Sequence, residues 1–116
     1  MTLRPPRSRL PDWSKAAVTA LEYELAQEKA SALGRLGRAL EQALAALAAF
    51  DADPSAADAS ERRRQRNALV ADAGSALWQF IVQREACGLR DSPVIMREYR
   101  VPSEVRDRMG FFPTRR

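Results

Sequence analysis

Between Pro11 and Pro54 the chain has no proline, and apolar residues return at helical spacing throughout that interval. Projected at 100° per residue, Val18, Leu21, Leu25, Ala32, Leu33, Leu36, Leu40, Ala43, Leu44, Leu47 and Phe50 share one broad stripe. Asp12 or Ser14 is placed to cap the first free amides. The pattern predicts one helix over about residues 14–50, roughly 55 Å long at 1.5 Å per residue. A single such helix buries nothing, so a second must lie along it.

The second helix begins either at Asp53-Pro54, an N-cap followed by a first-turn proline, or at Ser60. It continues to Cys87, where Gly88 suits the left-handed position after a helix end and Leu89 is expected to fold back on the last turn. Ser92-Pro93 and Val101-Pro102, the latter with Glu104, start two short helices over about 93–99 and 102–109, and Gly110 ends the second. The expected fold is all-α: a long antiparallel helical hairpin plus two short C-terminal helices. Only five Gly and few β-branched or aromatic residues agree with helix rather than sheet. Residues 1–12 read as a flexible N-terminal arm, 13–110 as a single helical domain and 111–116 as a C-terminal tail, with Phe111 and Phe112 expected to dock on the helices.

A short connection centred near residue 53 sets residue i of the first helix opposite about 106 − i of the second. Three charges then need explanation, because Glu22, Lys29 and Arg84 all fall within apolar stripes. The register puts Glu22 opposite Arg84, where a bidentate pair would offset the desolvation that either charge alone would suffer. Lys29 falls near Leu77, its stem buried and its amine reaching outward. Gly34 falls opposite Asp72 beside Ala71, Ala73 and Gly74, and Gly37 opposite Leu69. Since a mid-helix Gly costs roughly 1 kcal/mol against Ala, a close crossing near residues 34 and 72 is expected.

The chemistry is narrow. With no His and one cysteine, Cys87, the chain has no His/Cys metal site, no Ser-His or Cys-His couple and no internal disulfide. Cys87 sits at the negative end of a helix dipole and reads as a small core residue. No carboxylates form an acid/base arrangement, so neither catalytic residues nor a cofactor is expected. The N-terminus lacks the apolar centre of a leader and the longest apolar run, Ala43 to Phe50, is too short to span a bilayer. These features point to a cytoplasmic, non-enzymatic protein.

Nineteen basic residues, 17 of them Arg, against fifteen acidic ones permit an anionic partner without requiring one. The run ERRRQR (61–66) resembles a phosphate patch, but Asp51, Asp53, Asp58, Glu61 and Glu41 lie at the same end of the hairpin and compensate it. VIMREYRVPSEVRDRM (94–109) has the outline of a DNA-reading helix-turn-helix, yet Arg100 stands at the turn where Gly is usual, and Val105 follows Val101 by four residues where five are needed. Protein–protein interaction or self-association is therefore the leading expectation, with a nucleic-acid-associated or regulatory role using the Arg-rich surface as the alternative. Trp78 and Val82 form a second apolar strip on the second helix, suited to the short helices or to a second copy, and a homodimeric four-helix bundle is the preferred assembly. Trp78, Val82, Arg97, Tyr99 and Arg100 are the candidate interaction surface, because accessible aromatic and Arg side chains dominate binding energy.

The segments QEKASALGRLGRALE (27–41), WQFIVQREACGLRDS (78–92) and YRVPSEVRDRMG (99–110) resemble a family of short bacterial proteins known only as a domain of unknown function. The resemblance covers most of residues 20–110. It implies a bacterial cytosolic protein and transfers no activity, ligand or catalytic residue.

Overall fold

Ser14 caps the first helix, its hydroxyl accepting the amide of Ala17 at 3.1 Å, in a computed structural model that describes residues 14–54 and 58–110. Helix α1 spans Lys15–Ala52, α2 Ala59–Ala86, α3 Ser92–Glu98 and α4 Ser103–Arg108. The described residues are otherwise turns and connections, with no strand. The expected arm, the tail and the docking of Phe111 and Phe112 lie outside the described residues.

α2 begins at Ala59, beside the later expected start at Ser60 and well beyond Asp53-Pro54. Asp58 is the N-cap, in extended conformation, and its carboxylate accepts the Glu61 amide at 2.9 Å. Asp58 caps the helix and places Glu61 in its first turn, favourable at the positive end of the dipole. The end of α2 follows the expected design. Gly88 has φ of 87°, its amide donates to Glu85 and that of Leu89 to Arg84 at 2.8 Å, completing a Schellman motif.

The chain divides into two units, Met1–Ser31 and Ala32–Arg116. In the first, the described residues are the opening turns of α1, and all but the half-buried Val18 are exposed.

The second unit holds the core. Leu40 and Leu47 of α1 meet Val70, Ala73, Leu77, Phe80 and Ile81 of α2, with Ile95 of α3 and Val105 of α4 closing the cluster. Each fully buried aliphatic side chain contributes about 1.5–3 kcal/mol. No polar or charged residue among the described ones is buried. Because α3 and α4 complete this core, the hairpin does not need a second copy to cover it.

The register is displaced from expectation. Gly37 lies against Phe80, and Asp51 against Arg66, so facing residue numbers add to 117 instead of the expected 106. The connection extends to Asp58, which carries the centre of the hairpin toward the C-terminus. The expected crossing at residues 34 and 72 is absent with that shift: a β-carbon on Gly34 would meet only the tip of Arg38, at 3.4 Å. The close approach is instead between α2 and α4, where a β-carbon on Gly74 would stand 3.0 Å from Cβ and 3.2 Å from the carbonyl of Arg108.

The expected Glu22–Arg84 pair is likewise corrected. Arg84 donates to Asp91, from Nε at 3.2 Å and from Nη2 at 2.6 Å, while its guanidinium rests 5.5 Å from the centre of the Phe80 ring. Gly88 reverses the chain and brings Asp91 back to the last turn of α2, so the carboxylate arrives through a seven-residue loop with little chain entropy lost. Glu22 and Lys29 are exposed.

Candidate interaction surface

The corner between α3 and α4 is built by a second Schellman motif. Tyr99 is the C-cap of α3, Arg100 follows with φ of 52°, its amide donates to Arg97, and the amide of Val101 reaches the Met96 carbonyl at 3.0 Å. Pro102, extended at φ −63° and ψ 149°, then directs the chain into α4. A left-handed residue other than Gly costs about 1–2 kcal/mol, and here the position is held by an exposed arginine.

Tyr99 is half-buried. Its ring meets Phe80 edge to face, centroids 5.5 Å apart, and its hydroxyl lies against the backbone of α1 at Gly37. Burial pushes its phenol above the ordinary 10.0, and Glu41 and Glu98 add to this while Arg84 opposes it.

Between this corner and the last turns of α1 runs a groove of about 330 Å³. Leu44, Leu47, Ala48 and Pro102 line it with apolar surface, and Arg100 and Glu104 stand among its polar neighbours. It adjoins a second depression of about 420 Å³ lined by Glu41, Leu44, Glu98 and Tyr99, sharing Leu44 and Tyr99 with it. The second depression thus carries the Glu41 and Glu98 carboxylates, while Arg100 lines only the first.

The groove is fixed by a three-helix clasp. Arg66 of α2 takes Asp51 of α1 at 2.7 and 2.9 Å and Glu104 of α4 at 2.8 and 2.6 Å, both bidentate. Hydrogen bonds from Arg66 hold both carboxyls below their usual range, and the two carboxylates drive the guanidinium further toward its charged form. The rest of ERRRQR is also largely occupied. Arg62 donates to the Phe50 carbonyl at 2.9 Å and lies 4.2 Å from the centre of the Phe50 ring, and Arg64 pairs with Glu61.

The five candidate contact residues fall into separate places. Tyr99 and Arg100 line the groove, and Arg97 is exposed on α3. Trp78 and Val82, 37% and 42% exposed, share a face of α2 turned about 160° from Phe80, at 100° per residue. Gly110 lies beside the Trp78 ring, with a β-carbon there reaching within 3.5 Å of it, so the turn that ends α4 adjoins this strip. Sequence reasoning missed the clasp and the groove. Asp51 was readable as a neighbour of the arginine run, but Glu104 comes from 38 residues beyond Arg66, where no local spacing reports it.

No helix among the described residues is long and apolar enough to cross a membrane. Residues 11–116 match a family of unknown function, DUF6665. No curated protein and no solved structure matches the chain.

Proposed function

We propose, from the premise that the chain belongs to the DUF6665 family of unknown function, that it acts by binding other protein surfaces, a copy of itself included, and not by catalysis. The observation that carries this reading is Arg100. An exposed arginine occupies a backbone conformation that Gly would adopt with less strain, at the side of a groove with apolar lining. The exposed Arg100 stands on a corner whose backbone is held by hydrogen bonds from its own amide to Arg97 and from the Val101 amide to Met96, an arrangement that lowers the ordering cost of anchoring a partner.

The lining describes the partner. An apolar side chain fits over Leu44 and Ala48, a carboxylate suits Arg100, and a basic group suits Glu41 and Glu98. A cytoplasmic setting belongs to the same reading, supported by the lone cysteine.

Nucleic-acid binding is the weaker alternative, because Arg62, Arg64 and Arg66 are engaged within the chain. The test is a photo-crosslinking residue at position 48, with position 85 as a control on α2. A discrete protein adduct at 48, absent at 85 and lost on Arg100→Ala, is expected. Equal capture at both positions, or a salt-sensitive nucleic-acid shift lost in Arg63→Ala, would count against the reading.

A further inference from the structure

We infer that residues 18–29 of α1 are a self-association surface, pairing antiparallel with the same residues of a second copy. This rests on the self-association part of the reading above and is independent of the groove. Leu21 and Leu25 are 43% and 55% exposed, and with Val18 they occupy an arc of about 60° at helical spacing. Isolated apolar residues on a surface need no explanation, but a stripe continuing the pattern that forms the core further along α1 does.

The charges on that stripe specify the occupant. Glu22 and Lys29 lie along one edge of it, two helical turns or about 10 Å apart, too far to meet within the helix. Neither has an opposite charge three or four positions away, and no described residue bonds to either. A twofold axis between residues 25 and 26 sets Glu22 of one copy against Lys29 of the other, twice, with Leu25 near its own mate on the axis. Such an axis keeps the charged edge of one helix beside the charged edge of the other, so both pairs form together. A parallel arrangement would set Glu22 against Glu22 and Lys29 against Lys29. The pattern is thus complementary to itself only when reversed, which identifies a second copy as the partner.

The opposite edge carries Glu24 and Glu28, which meet their own kind across the same axis and keep the association weak and readily reversible. The charges on the stripe are a means of orientation more than of strength.

Sedimentation velocity on the full chain, from micromolar to about 1 mM, tests this in a range suited to a weak complex. The wild type is expected to associate with rising concentration. Glu22→Lys and Lys29→Glu should each weaken association about tenfold, since each reverses two symmetry-related pairs, and the double exchange should restore it. Leu25→Glu should abolish it. These positions are exposed, and unchanged circular dichroism would show the fold intact. A monomer at every concentration would overturn both this inference and the self-association reading. Association indifferent to Leu25→Glu would overturn the inference alone, as would single-variant losses that the double exchange does not repair.

Discussion

The hydroxyl of Tyr99 stands 3.0 Å from where a β-carbon on Gly37 would be. Gly37 is thereby explained by a residue more than sixty positions away, and the half-buried phenol keeps α3 against α1.

The three helical glycines should respond differently to the same substitution. At Gly34 an added methyl meets only the mobile tip of Arg38, so Gly34→Ala should stabilise by about 0.5–1 kcal/mol through helix propensity. At Gly74 the obstacle is the backbone of Arg108, so Gly74→Ala should destabilise by about 1–3 kcal/mol. Gly37→Leu should destabilise more than Gly34→Leu because it displaces Tyr99. Urea midpoints would check the order.

Acid should loosen the clasp. Asp51 and Glu104, ordinarily near 3.8 and 4.5, are held lower by Arg66, so the unfolded chain binds their protons more tightly than the folded one. Their contribution is complete above the ordinary values and disappears as pH falls through the lowered ones. Arg66→Met should melt a few degrees lower at pH 7, and its melting curve should converge with the wild type's toward about pH 2. Equal differences at both pH values would refute this.

Arg100→Gly should separate stability from binding. Relief of the left-handed strain should leave the fold as stable or raise it by up to about 1 kcal/mol, the gain being limited by the greater freedom of unfolded glycine. Capture of a partner by the groove should nevertheless fall. Thermal melting together with crosslinking at position 48 reads both.

Tyr99 should ionise late. In a Tyr23→Phe background the rise of phenolate absorbance should have its midpoint above pH 10.0 and return toward it in denaturant. Since the folded chain holds this proton more tightly, its contribution to stability is full below the ordinary value and is lost as pH rises through the raised one. Glu41→Gln should lower the midpoint only partly, because burial is the larger cause.

Local chemistry was legible in the sequence and long-range geometry was less so. The proline-free stripe, Gly88 and the Ser-Pro and Val-Pro starts are governed by residues within a turn of each other, and they located four helices to within a few positions, apart from the start of α2. Register depends on where the connection ends, and centring it near residue 53, when α2 is capped by Asp58, moved every cross-helix pairing and took the Gly34 crossing with it. The Glu22–Arg84 pairing assumed that a charge on an apolar stripe is answered from the opposite helix. Arg84 found Asp91 beyond its own helix end instead. Arg100 reads as a break in the helix-turn-helix outline and as a contact candidate but not as a strained corner, although a non-glycine residue two positions before a helix-starting proline was the available signal for one.

Arg62 offers a different lesson. Its cation lies four residues into α2, where it works against that helix's own dipole, yet the same guanidinium satisfies a terminal carbonyl of α1. What harms one segment alone repairs its neighbour, so an excised α2 peptide should be a poorer helix than its composition promises, and ordered structure at that end should arrive in both arms together or in neither.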